Sequence, residues 1–340
     1  MNISYKLCIQ MFSNKKFNRF IVLGFLVLIL LVLASISFGS SETSFQEVWD
    51  YIFHHTNATV GNILWYVRIP RTIATILCGS ALAVAGLLFQ SALNNALASA
   101  GTIGVNSGAG LFVVLGAILF PGVFVAKSIF AFAGSLLAAI LIFFIARKNV
   151  SKSTIVMAGV AISSLLTAFS DTLITLYPDT VMDKSTFFIG GFAHVQSVSL
   201  PFIGFVVIVC LIASYVLATR MNVLMLGDEM ANSLGLPVVR TRYMLIFIGA
   251  ILAACSVSVG GILSFVGLLV PHMMRSLLGN DHRYLLPATL LVGAILVLGC
   301  DLLARLVFAP FEIPVGIFLS FLGSPFFLWL ILSRCKRLQV

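Results

Sequence analysis

The run Tyr243–Met274, YMLIFIGAILAACSVSVGGILSFVGLLVPHMM, holds 32 residues without an Asp, Glu, Lys or Arg. A helix needs about 20 apolar residues to cross a bilayer, so this run exceeds one ordinary span. Gly260-Gly261 near its middle is a natural break. The run therefore reads as two short membrane helices joined at the glycine pair.

The rest of the chain has the same character. Hydrophobic residues make up 60% of the 340 and charged residues 9%, which excludes a soluble domain of this size. Phe20–Ser40 is another uncharged run, 21 residues long. It exceeds the apolar core of a signal peptide and many spans follow, so it reads as a retained helix. Apolar blocks fall at 20–38, 72–93, 103–126, 128–146, 154–176, 197–219, 243–259, 262–278, 285–307 and 314–333. The expected fold is an all-α membrane protein of about ten transmembrane helices. It forms one domain over 1–340, with a polar tail at 1–19 and a polar segment at 220–242.

Ten spans put both termini on one side. Fifteen of the 20 Lys and Arg then fall on that side, including Lys15, Arg19, Arg147, Arg220, Arg240, Arg275 and Arg337. Arg68, Arg71, Lys127, Lys184 and Arg305 fall opposite, with Glu42, Glu47, Asp50, Asp179, Asp183 and Glu312. The positive-inside rule makes the basic side cytoplasmic. The net charge of +9 thus reflects membrane orientation and gives no reason to invoke nucleic acid. The six cysteines are scattered, mostly in apolar runs, without metal-ligand spacing or a disulfide framework.

Leu224–Arg242, LMLGDEMANSLGLPVVRTR, is a polar island between uncharged runs. Asp228 and Glu229 open a short helix, where negative charge suits the dipole. Leu226, Met230 and Leu234 form one stripe at i, i+4, i+8. Gly235 and Pro237 supply the stop. A capped helix with an exposed apolar stripe on the cytoplasmic face suits docking to a soluble partner.

Arg68 and Arg71 lie three apart at the outer start of the second span, with Pro70 suited to a helix start. They fit either lipid anchoring or docking of an acidic external partner. Asp301 and Arg305 are spaced for an intrahelical ion pair, and Arg305 is placed to join the outer basic cluster. Glycines from Gly79 to Gly134 suit close helix packing, a few of them a translocation path. Gln90–Asn95 suits a helix end or a cavity lining. Asp171 belongs near the outer end of its helix, without the intramembrane partners of a proton relay. The pair His54-His55 is a weak metal motif, and His272 and His282 read as structural hydrogen-bonders. No Walker-type loop and no catalytic constellation occurs, so no catalytic or metal-binding residue is assigned. If the protein works on a gradient, the energy must come from elsewhere. An ion-driven secondary transporter is the rival class, but it calls for paired intramembrane charges and no docking helix.

Five ordered segments resemble one family: VRIPRTIATILCGSALAVAGLLFQ, LGDEMANSLGLP, GGILSFVGLLVPHMMRSLLGNDHRYLLPATLLVGA, CDLLAR and FEIPVGIFLSFLGSPFF. Together they resemble the permease subunits of bacterial ABC importers for iron–siderophores, haem and cobalamin. The resemblance covers the chain from about residue 60 to the C-terminus. It implies the type II importer fold of the bacterial inner membrane and a second permease subunit, identical or sister. It also implies two ATPase subunits below, which carry ATP and Mg, and an extracytoplasmic binding protein above. No cofactor is implied on this chain. The coupling helix of the family matches Leu226, Gly227, Asp228, Glu229, Ala231, Leu234 and Gly235. Its outer arginines, which meet glutamates of the binding protein, match Arg68, Arg71 and Arg305. Its cytoplasmic gate matches Ser151, Lys152 and Ser153, where Lys152 departs from the expected small polar residue. Ala96 and Ala100 replace two family prolines, a change expected to loosen that loop. The implied cargo is an iron(III)-siderophore, with haem and cobalamin as alternatives.

Overall fold

A computed structural model describes residues 14–39, 45–54, 58–146, 152–178, 184–193, 195 and 197–338. Ser151, His55, His194 and most of the N-terminal tail lie outside the described residues. The described chain is helical throughout. In order, its elements are α1 (Asn14–Ser37), α2 (Phe45–His54), α3 (Ala58–Ile63), a π-helical segment (Leu64–Arg68) and α4 (Ile69–Leu93). Then come α5 (Val105–Leu119), α6 (Phe124–Ala146), α7 (Lys152–Leu176), α8 (Lys184–Ile189), α9 (Leu200–Val216) and α10 (Ala218–Leu224). The last five are α11 (Asp228–Ser233), α12 (Val238–Gly260), α13 (Val266–Leu278), α14 (His282–Leu306) and α15 (Val315–Leu338).

Each of the ten expected apolar blocks holds a helix. Among the described residues six helical runs are long and apolar enough to cross a membrane, and α9 with α10, bent by 52°, makes a seventh. The apolar helices α5, α13 and Val315–Leu328 of α15 are shorter. At 1.5 Å per residue the 13 residues of α13 reach about 20 Å, less than the hydrocarbon thickness of about 30 Å. The break at the glycine pair is present. Helix α12 ends at Gly260, and Gly261 has φ +68°, a backbone that a side chain resists.

Helix α4 is the centre of the bundle. It packs on α12, α14, α13 and α9 and is buried over almost its whole length. Its small residues allow this. The backbone of α4 meets that of α13 where Gly86 faces Gly267, and that of α14 where Gly79 faces Gly293. Gly108 and Gly134 bring α5 and α6 together in the same way. Each pair leaves no room for a Cβ against the opposing carbonyl. Small residues at such crossings replace the missing hydrophobic drive in lipid with van der Waals contact. Gly86→Val is therefore expected to destabilise the permease by about 3 kcal/mol or more, because backbone must move to admit it. Thermal unfolding in detergent measures this, with Gly204→Ala, which meets only a leucine methyl at contact distance, as the mild control.

Two features differ from expectation. The second span does not start near Arg68: the helical run is continuous from Ala58 to Leu93, 36 residues. Pro70 lies inside this run, just after the π-helical segment, which is wide enough to tolerate a residue lacking an N–H. The loop after α4 is also not loosened by Ala96 and Ala100. Asn94 ends the helix at φ +47°, and the Leu97 N–H donates to Asn95 Oδ1 at 2.9 Å. Thr102 Oγ1 accepts from Ser99 N–H and donates to Ser99 O, both at 2.9 Å. Local hydrogen bonds supply the constraint that proline would have given.

Candidate functional site: the two ends of the central helix

The ends of α4 carry two polar networks. At its C-terminal end, Arg242 at the start of α12 donates Nε to Ala92 O at 2.9 Å. Its Nη2 meets both carboxylate oxygens of Asp228, each at 2.9 Å. The island is thereby tied to the end of α4. Asp228 is more than a charge suited to a helix dipole, because its carboxylate is committed to Arg242. Glu229 is exposed, with no ion pair among the described residues.

The island has the expected shape. Ala231 is fully buried, whereas Leu226, Met230 and Leu234 are 59%, 60% and 63% exposed. A stripe that exposed outside the bilayer marks a contact surface. Two glycines frame it: Gly227 at φ +96° and Gly235 at φ +78°. The Gly235 N–H donates to Asn232 O at 2.9 Å, closing the helix.

Behind the island lies a second tie. Asn222 of α10 donates Nδ2 to Asp281 Oδ1 at 2.7 Å. That fixes its amide orientation, so Asn222 Oδ1 accepts from both the N–H and the Nδ1–H of His282, each at 2.8 Å. Nε2 of the buried His282 is then an acceptor for Ser91 Oγ–H at 2.8 Å. His282 is the structural hydrogen-bonder expected, and Ser91 belongs to a helix end. Asn222→Ala strands two buried donors at about 1–3 kcal/mol each. The expected outcome is a permease of clearly lower thermal stability, read by thermal unfolding in detergent.

The opposite end of α4 gathers Arg68, Arg71 and Arg305. They form a buried network rather than an exposed basic patch. Arg71 Nη2 and Nε contact Asp301 Oδ1 at 2.9 and 3.0 Å, and Nη1 meets Glu312 Oε2 at 2.7 Å. Arg305 Nε meets Asp301 Oδ2 at 3.0 Å, the expected intrahelical pair. Arg305 Nη2 donates to Ser35 Oγ, and Arg68 Nη1 to the carbonyls of Ile36 and Ser37. Ser35 donates onward to Thr72 Oγ1, whose own proton goes to Arg68 O. Among the described residues, three guanidinium groups and two carboxylates meet in this network. Sequence spacing paired Asp301 with Arg305 but missed its second bond, to Arg71, and the part of Glu312. Asp301 inside an apolar run was the available signal, because a buried carboxylate calls for cations.

The rings of Phe17 and Tyr284 lie 4.8 Å apart, so α1 begins at the island end. Glu312 lies at the arginine end, just before α15. Asp171 is near the end of α7, as expected, and is exposed. Lys152 starts α7 and Ser153 is exposed beside it.

Comparison with known proteins completes this picture. The model of the FecCD transport family matches residues 27–333. The chain is 36% identical over 333 residues to the hemin transport system permease protein HmuU of Yersinia pestis, covering 95% of this chain and 99% of that one. It is 34% identical over 325 residues to the iron(3+)-hydroxamate import system permease protein FhuB of Bacillus subtilis, covering 94% and 84%. A metal-chelate type ABC transporter solved in an inward-facing conformation superposes with a TM-score of 0.82 at 26% identity, over 93% of this chain and 99% of that chain. With its helices, their order and both end networks accounted for, this multi-pass membrane protein belongs to the FecCD transport family of ABC permease subunits.

Proposed function

We propose that this chain is the transmembrane subunit of an ATP-driven importer of an iron chelate, with an iron(III)-siderophore as the leading cargo. The observation that carries the proposal is the island: a short helix bearing an exposed apolar stripe and tied through Arg242 to the central helix. In this reading two ATPase subunits hold ATP and Mg and seat on Leu226, Met230 and Leu234 from the cytoplasm. Gly227 and Gly235 fix the helix orientation, and Glu229 faces the ATPase. Closure of the ATPase pair pushes the island, and the Asp228–Arg242–Ala92 link passes the push to the end of α4. A second permease subunit completes the pathway, and Ser151, Lys152 and Ser153 at the start of α7 form its cytoplasmic gate. This chain holds no cofactor.

At the far end the binding protein docks from outside. The buried arginines act there through the rigid platform their network builds, rather than as free side chains. Reversing Arg71 to Glu would place a third carboxylate beside Asp301 and Glu312 and unfold that platform, so charge reversal at Arg71 does not test docking alone. Arg68→Gln is milder, since it keeps a donor for the Ile36 and Ser37 carbonyls. It is expected to weaken stimulation of ATPase activity by the binding protein while the permease–ATPase complex still assembles.

A hemin cargo is the second reading, favoured by the 36% identity to a hemin permease. Uptake of radiolabelled ferric hydroxamate, hemin and cobalamin into proteoliposomes holding the complete importer separates the cargoes. Uptake of the iron–siderophore alone supports the leading reading, and uptake of hemin or cobalamin alone overturns it.

A further inference from the structure

Between α6 and α12, toward the island end, runs an apolar groove of about 480 Å³. Ile140, Phe143 and Phe144 form one wall, and Tyr243, Phe247 and Ala250 the other. Phe144 and Phe247 are about half exposed on it. Arg240 closes its upper end. A second recess of about 390 Å³ continues past Arg240 and Tyr243 to Pro237 and Asn232 of the island.

Arg240 differs from Arg242 two residues on. Arg242 is committed to Asp228 and the Ala92 carbonyl, whereas the exposed Arg240 makes no hydrogen bond or ion pair among the described residues. It sits in the first turn of a helix long and apolar enough to cross a membrane. Tyr243, whose ring packs edge-on against Phe143 at 5.1 Å, stands one turn deeper, as interfacial aromatics do. The volume is that of an ordinary ligand site.

We infer that this cleft binds an anionic phospholipid, with one acyl chain along the α6–α12 groove and the headgroup phosphate on Arg240. The groove opens between the apolar bodies of two helices, a lining that suits a hydrocarbon chain. A cation at the headgroup end of such a groove selects negative charge. Guanidinium matches phosphate in a two-pronged geometry. The recess beyond Arg240 places the rest of the headgroup against Asn232, so the bound lipid would brace the island on its C-terminal side. The inference needs the membrane-spanning fold and not the identity of the cargo.

Phe247→Trp puts a reporter in the groove of the full-length permease, and Phe144→Trp on the facing wall serves if the first variant folds poorly. Nanodiscs of mixed phosphatidylcholine and phosphatidylglycerol are made with bromine on the acyl chains of one lipid or the other. Quenching is read as the difference from the wild-type chain. One favourably placed Arg is worth about 1 kcal/mol, so brominated phosphatidylglycerol should show roughly fivefold preference over brominated phosphatidylcholine at equal mole fraction. Arg240→Gln should abolish that preference and Arg240→Lys retain most of it. Equal quenching by both lipids would mean ordinary annular lipid and overturn the inference. No quenching by either would mean that protein covers the groove, and a preference that survives Arg240→Gln would remove the phosphate site; each also overturns it.

Discussion

Asp301→Ala is expected to destabilise the permease by about 3–5 kcal/mol, the largest effect of any single substitution considered. Asp301 is 0% exposed and neutralises Arg71 and Arg305 together. Without it two buried guanidinium groups share only the partly exposed Glu312. The cost is that of stranded charge, not of one lost contact, which sets a second expectation: Arg71→Met and Arg305→Met combined with Asp301→Leu should be far less damaging than Asp301→Ala, because both buried cations leave with the carboxylate that neutralises them. Steric-trap or detergent-titration unfolding measures both. A loss below about 1 kcal/mol for Asp301→Ala would show that water reaches this network and that its burial is not the governing term.

The second large effect is functional. Gly235→Pro and Glu229→Lys are each expected to cut transport per ATP hydrolysed by at least about tenfold, that is by more than about 1.4 kcal/mol of coupling. They act by different routes. Proline locks φ near −65° and removes an N–H, whereas Gly235 sits at +78° and donates to Asn232 O. Glu229→Lys leaves the backbone alone and reverses the exposed charge that Glu229 carries on α11. Because the island lies on the surface, Glu229→Lys should unfold within about 1 kcal/mol of the wild type, and Gly235→Pro should disorder the island while the bundle stays folded. A bundle that collapses in Gly235→Pro would mean that the island supports the fold; in Glu229→Lys, normal uptake would remove the charge from the coupling contact.

The helices were legible in the sequence for a simple reason. In lipid every backbone polar group must be satisfied within its own segment, so uncharged runs of sufficient length are helices. The Gly260-Gly261 break was legible because Gly261 combines φ +68° with ψ −160°, a region that glycine enters and side chains resist. The island was legible because charge, stripe and stop signals agree within 12 residues. Depth was harder to read. Arg68 and Arg71 looked interfacial because they stand at the edge of an apolar run, and nothing local places them in the interior. Their burial depends on Asp301 and Glu312, 230 and 241 positions from Arg71. The π-helical segment that carries the helix past Pro70 leaves no periodic signature in five residues. The commitment of Asp228 to Arg242 likewise required the fold of α12 back onto α4. Pairings across such distances are set by tertiary packing, which residue spacing does not encode.

The central claim is that this chain moves its cargo with energy delivered by an ATPase through the island. Proteoliposomes holding the permease, its ATPase and its binding protein, loaded with ATP at the ATPase side and with ionophores to collapse all ion gradients, test it most directly. The account predicts sustained uptake of radiolabelled iron chelate that requires hydrolysable ATP and is lost in Glu229→Lys. Uptake that proceeds without ATP and stops when the proton or sodium gradient is collapsed would contradict it.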